Sequence, residues 1–309
     1  MKAGAPAGRK IRGAEELASH WAGVPVARGA LVVPPGLTFA AVLDAVAVLK
    51  HALLGERCAH AGEVCADRNL ACRQPALCTA HALQPGWHGG ARSWMMATLG
   101  LRWLPQAGRM QISAWGHRAI PELGWAMRRL RERTGWALAE TWSGTFGDTV
   151  RAEPGLYRLT FLTPPMLGKR GVPFQGEPTV APEAMQAVVQ ATLSARSHKL
   201  SGLIDANAGG QRLAGHLARR VARDIAGDGL RLVSLEVTAC LVEAASASTR
   251  RGPAGEGAPG AGRFEALSCD GSLLLEVQPD ALPWLSLLAE FGVGENTDEG
   301  FGMVEVQRA

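Results

Sequence analysis

Between Leu156 and Val306 the spacing of apolar residues switches period in a fixed order, and that order restricts the fold more than any single motif. The stretch "LYRLTFLTPPML" alternates like a strand until Pro164-Pro165 breaks it. Next, "PEAMQAVVQATLSARSHKLSGLIDA" and "GQRLAGHLARRVARDIAGDG" repeat at helical spacing. Strand character returns in "LRLVSLEVTACLVEAA" and "RFEALSCDGSLLLEV", separated by the Gly/Pro-rich loop "RRGPAGEGAPGAG". A helix, "DALPWLSLLAEF", and a strand, "GMVEV", close the segment. Strand, helix, strand, strand, helix, strand is the order of the ferredoxin-like fold, here with an extra helix inserted after the first one.

The first half repeats this order more faintly. "ALVV" (Ala30 to Val33) reads as a strand and Pro34-Pro35-Gly36 as a turn. "LTFAAVLDAVAVLKHALLGE" reads as a helix capped by Thr38, with Phe39, Leu43, Val46, Leu49 and Leu53 on one face. An irregular insert follows, then strands in "MMATLGLRWL" and "RMQISAWG", and a helix in "IPELGWAMRRLRERTG" that stops at Gly135. Its last strand is poorly marked. The reading is an α+β chain of tandem ferredoxin-like (RRM-like, βαββαβ) domains, expected at residues 1–150 and 151–309, with a basic helical insertion in the second. A chain of 309 residues has room for two such cores.

Composition sets bounds on partners. The 32 basic against 28 acidic residues leave a net charge of +4, too small by itself to demand a nucleic acid, so local clustering has to carry that case. No apolar run approaches the length that spans a bilayer, and the first residues lack the apolar core of a signal peptide. A cytoplasmic protein is expected. Cys58, Cys65, Cys72 and Cys78 lie near His60, His81 and His88, but their spacing is wider than the close pairs that open most structural zinc sites. Structural zinc and plain burial both stay open.

The clustering exists in one helix. Arg212, His216, Arg219, Arg220 and Arg223 share a face beside the apolar stripe Leu213, Leu217, Val221 and Ile225, and of the acids only Asp224 intrudes. Such a face suits the phosphates of an RNA hairpin. By contrast "MRRLRER" (Met127 to Arg133) contains Glu132 and reads as a solvated surface.

The densest glycine segment is "GVGENTDEGFG", Gly292 to Gly302. A dinucleotide fingerprint follows a strand and opens a helix, whereas this segment closes a helix and opens a strand. Two readings remain: a cap and tight turn required for folding, or a cradle whose peptide groups approach RNA phosphates. In the second, Gly292, Gly294, Gly300, Phe301 and Gly302 contact RNA while Glu295, Asp298 and Glu299 point away.

In this order of elements the chain resembles the repeat-associated (RAMP) proteins of CRISPR systems, and more narrowly the Cas-six family of CRISPR RNA-processing endoribonucleases. "YRLTFLTPPMLGKRG" resembles the family's strand and Thr-Pro turn, "ASTRRG" through "GRFEALSCDGSLLLEV" its central hairpin, and "LLAEFGVGENTDEGFGMVEV" its closing helix, glycine loop and strand. "MQISAWGHRAIPELGWAMRRL" is a weaker match. The resemblance implies metal-independent cleavage of the repeat in a precursor CRISPR RNA. A ribose 2′-hydroxyl attacks the adjacent phosphorus and a 2′,3′-cyclic phosphate is left. It also implies continued binding to the 3′ stem-loop beside other effector subunits.

For that chemistry the candidates are Arg28, His51, Arg250 and Arg251, since histidine moves protons near neutrality and arginine holds charge on the phosphorane. Lys169 and Arg170 join the helix face as RNA contacts. His20, Tyr157 and the pair His198-Lys199 carry less weight. An arginine-dominated site fits the processing subunits of type IV systems. The competing reading is a catalytically silent RAMP that binds CRISPR RNA and scaffolds its neighbours.

Overall fold

The computed structural model describes residues 14–38, 40–42, 45, 99–117, 120–150, 153–167, 179–207, 214–245, 263–294 and 301–309. In chain order they form α1 (Ala14–Ala22), β1 (Pro25–Val32), β2 (Leu99–Leu104), β3 (Arg109–Trp115), α2 (Ile120–Thr134), β4 (Ala137–Thr145) and β5 (Gly155–Phe161). These are followed by α3 (Pro182–Asn207), α4 (Ala214–Asp228), β6 (Leu230–Ala245), β7 (Arg263–Val277), α5 (Leu282–Phe291) and β8 (Val304–Arg308). Between β1 and β2, residues 40–42 are helical, and the Thr38 hydroxyl accepts the Ala41 amide at 3.3 Å as an N-cap.

Two antiparallel four-stranded sheets result, ordered β2-β3-β1-β4 and β6-β7-β5-β8. In each, the two strands of one βαβ unit are separated by a strand of the other, which is the split arrangement of the ferredoxin-like fold. The chain is therefore a tandem of ferredoxin-like units, and α4 is the extra helix of the second.

Alternation explains how the sheets pack. In β5 the residues Tyr157, Leu159 and Phe161 are buried with Leu273, Leu275 and Val306, while Leu156 is exposed on the opposite face. Gln186 of α3 ties the insertion to the sheet. Its amide donates to the Ala226 and Leu230 carbonyls at 2.7 and 3.0 Å and accepts the Leu232 amide at 3.1 Å. In the first sheet, Ala27 and Leu31 of β1 join Ile112, Leu123, Ala126 and Leu130 under α2. Gly135 ends that helix with φ +73° and an amide bond back to Arg131.

Two elements escape the sequence reading. The short helix α1 sends Leu17 and Trp21, both fully buried, into the core of the second unit, where Trp21 lies 4.9 Å from Trp284 and 6.2 Å from Phe146 between ring centroids. The other is β4, whose residues 137–143 are exposed on both faces, so the alternation that marks a half-buried strand never appears. No helix among the described residues is long and apolar enough to cross a membrane.

Candidate nucleic-acid interface

The face of β1 opposite α2 carries Val26, Arg28 and Ala30 and turns toward the second unit. Cross-strand pairing sets Arg28 beside Ser113 of β3 on one side and Trp142 of β4 on the other, with Gly100 of β2 beyond Ser113. Glu290, near the C-terminal end of α5, enters this row from the second unit. One carboxylate oxygen takes the Arg28 Nη2 and the other accepts the Ser113 hydroxyl at 3.1 Å, which in turn accepts the Gln111 amide at 3.2 Å. The Arg28 Cζ stands 4.7 Å from the centroid of the Trp142 ring.

Burial decides what this cluster is. The Glu290 side chain is 6% exposed, and a carboxylate so far from water is tolerable only with a cationic partner and satisfied oxygens. Arg28 keeps 22% exposure and so reaches the edge of the junction, while its Nε–H is buried and meets no acceptor among the described residues. The guanidinium is thus fixed in plane by Glu290 and in tilt by Trp142, with donors left over.

The junction is closed by further ties. Arg102 Nη2 donates to the Val304 carbonyl at 2.9 Å, the Trp103 amide points at Met303 Sδ at 3.0 Å, and the rings of Trp115 and Phe291 lie 4.8 Å apart. Gly100 lies against α5, where an added Cβ would make an ordinary contact with the Glu290 carbonyl at 3.7 Å.

The described ends of the glycine segment, 292–294 and 301–302, make contacts inside the protein, while Glu295, Asp298 and Glu299 lie outside the described residues. Gly292 caps α5 with φ +76° and donates to the Leu288 carbonyl at 2.9 Å. A Cβ on it would run into the Gly302 carbonyl, one on Gly302 (φ +64°) into the Val293 carbonyl, and one on Gly294 would lie 2.8 Å from Met166 O. Val293 N–H donates to Gly302 O at 2.8 Å, and Gly302 N–H to Pro164 O at 3.1 Å. Thr163 Oγ1 accepts the Met303 amide at 2.9 Å. Close approach to the protein's own main chain is enough to require glycine at these three positions, as the first of the two readings drawn from the sequence needs. Phe301, expected to face RNA, is 2% exposed, so its ring belongs to the core.

On α4, Val221 and Ile225 are buried while Arg220, Arg223 and Asp224 are exposed, the division that the helical spacing predicts. Arg219 and His216 lie on the same helix, without described side chains. On α2, Arg129 and Glu132 pair at 2.5 Å and Arg128, Arg131 and Arg133 are exposed. His51, Arg250, Arg251, Lys169, Arg170, Arg212, Gly300 and Cys58, Cys65, Cys72 and Cys78 lie outside the described residues. Among those described, no group of His, Cys, Asp and Glu is gathered as a metal site would need.

The sequence names Arg28 as a candidate without naming Glu290 or Trp142, which the structure places beside it. One signal was available: Glu290 is the lone acid of an apolar helix, and it sits at the end where the helix dipole disfavours a negative charge. An acid retained there implies a cation opposite.

No family model and no curated protein matches the chain. Among solved structures it is similar to Cas6 from Thermus thermophilus, at 16% identity over 92% of this chain and 98% of that one, with a TM-score of 0.44. A Cas6-related protein from Pyrococcus furiosus is similar at 10% identity, 92% and 98% coverage and a TM-score of 0.41. The CRISPR endoribonuclease Cse3 bound to a 19-nucleotide RNA is similar at 14% identity, 92% and 98% coverage and a TM-score of 0.36.

Proposed function

We propose that the chain is a metal-independent endoribonuclease that cuts the repeat of a precursor CRISPR RNA. After cutting, it stays bound to the 3′ stem-loop as a subunit of an effector complex. The observation that carries this reading is the seat of the glycine segment. Within a second ferredoxin-like unit it joins the last helix to the last strand, the placement that the resemblance in sequence implies, and Gly302 and Met303 at its end bond to the turn Thr163-Pro164-Pro165 after β5.

In this proposal the 2′-oxygen attacks phosphorus, the 5′-oxygen leaves and takes a proton, and the 2′-oxygen loses one. Arg28, Arg250 and Arg251 supply positive charge to the phosphorane, and His51 moves a proton. Arg212, His216, Arg219, Arg220 and Arg223 of the insertion, with Lys169 and Arg170, hold the stem-loop by its phosphates. A site so dominated by arginine is the type IV form of the family.

Labelled repeat RNA incubated with the purified protein in EDTA should be cut once, leaving a cyclic phosphate on the upstream fragment. Tight binding with every RNA intact would discard the enzyme and leave the scaffolding subunit. The exposed pair on α4 gives a second expected result. Replacing Arg220 and Arg223 together by alanine should weaken stem-loop binding, and the slope of log K against log salt should fall by about 0.9 per lost phosphate contact. An unchanged slope would remove this helix from the interface.

A further inference from the structure

We infer that Glu290 and Trp142 are positioning residues for Arg28, the pair that makes this arginine a fixed donor toward bound RNA. The inference rests on the endoribonuclease reading above. Arginine carries large rotamer freedom, and a side chain that meets a transition state works only if its geometry is set beforehand to within a fraction of an ångström. Two independent restraints achieve that here. The Glu290 carboxylate holds one end of the guanidinium through its Nη2, and the Trp142 ring holds its face, with Cζ 4.7 Å from the ring centroid.

The restraints come from different parts of the fold. Trp142 belongs to β4, directly opposite Arg28 in the sheet, and the indole leans over Gly144, where a Cβ would stand 2.6 Å from its Cζ2. Glu290 comes from α5, whose other end is tied to α3 through the Trp284 Nε1–H to Ser197 Oγ bond at 3.1 Å. Ser113, 2% exposed, saturates the second carboxylate oxygen, so the acid itself cannot swing. The carboxylate that orients Arg28 is thus one tie among several across the junction, the others being Arg102–Val304, Trp103–Met303 and Trp115–Phe291. The neighbouring acids are engaged elsewhere: Glu140 with Arg109 at 2.5 Å, and Asp148 with the Thr145 amide and hydroxyl at 2.7 and 2.9 Å. Those two hydrogen bonds hold the Asp148 carboxyl below the usual carboxylate range. Glu290 alone among the three answers to Arg28.

The test is single-turnover cleavage of repeat RNA by the full chain, with the affinity for uncleaved RNA and the melting temperature measured on the same samples. Glu290→Gln and Trp142→Ala should each slow cleavage by about 10- to 100-fold while leaving affinity within about 3-fold. Arg28→Lys should not restore the rate, since an ammonium neither stacks flat nor presents a fork. Trp142 stands 37% exposed on an edge strand, so its variant keeps the core and the docked interface intact. Cleavage at the wild-type rate by both variants would overturn the inference, as would rate losses matched by equal losses of RNA affinity. If the wild-type chain itself leaves repeat RNA intact, the endoribonuclease reading has failed, and the positioning role fails with it.

Discussion

Gly302→Ala is expected to lower the unfolding free energy by about 3–4 kcal/mol, one of the two largest effects of a single substitution foreseen in this chain. The residue has φ +64° and sits where an added Cβ would overlap the Val293 carbonyl. A left-handed backbone costs a non-glycine residue about 1–2 kcal/mol. The remainder is steric. The atom in the way is main chain, it belongs to the residue whose amide donates to Gly302 O, and moving it would break the 2.8 Å bond that closes the loop. Gly135 supplies the control, with φ +73° and nothing within 4 Å of a built Cβ, so Gly135→Ala should cost only the backbone strain. Urea titrations of the two variants decide the matter. Equal midpoints would mean that the loop yields and that the glycine is not held by close approach.

Trp21→Ala should cost about 3–5 kcal/mol, the usual range for truncating a fully buried indole. Trp21 precedes every strand of the first unit, yet its ring packs tilted against Trp284 and edge-on to Phe146, in a core that is mostly the second unit's. The loss should therefore be felt far along the chain, as faster amide exchange in α3 and α5. A variant with wild-type stability would show that α1 rests on the surface of that core and does not complete it.

These two positions show where sequence reasoning reached and where it stopped. The helix Ile120–Thr134 and the strands Leu230–Ala245 and Arg263–Val277 were legible residue by residue, because each carries its own period and its own terminator. The nine residues of α1 carry too few repeats for a period to stand out, and what makes them a helix is the cavity they fill. β4 is exposed on both faces, so its pairing with β1 and not its pattern makes it a strand.

The candidate site divides in the same way. The spacing of Val221 and Ile225 against Arg220 and Arg223 fixed which side of α4 meets water, since helical geometry alone decides that. Arg28 is a candidate from the sequence as a residue just ahead of the strand expected at Ala30, whereas it lies inside β1, Pro25–Val32. Nothing local could show that it would meet Glu290, which lies 262 residues away. Glycines 292, 294 and 302 were visible as a cap and tight turn or as a cradle, and the main-chain groups they approach were not.

The order of elements in the second ferredoxin-like unit, and in the first as far as its second helix, was determined by the sequence alone. Periods of 3.6 and 2 residues are properties of short windows, and split βαβ pairing follows from their succession. Only the tertiary structure decided that Gly292, Gly294 and Gly302 lie against the protein's own main chain and that Arg28 lies between a carboxylate and an indole. Both depend on close approach of groups distant in sequence, and a carboxylate charge can be buried at a junction only when folding brings its cation to it.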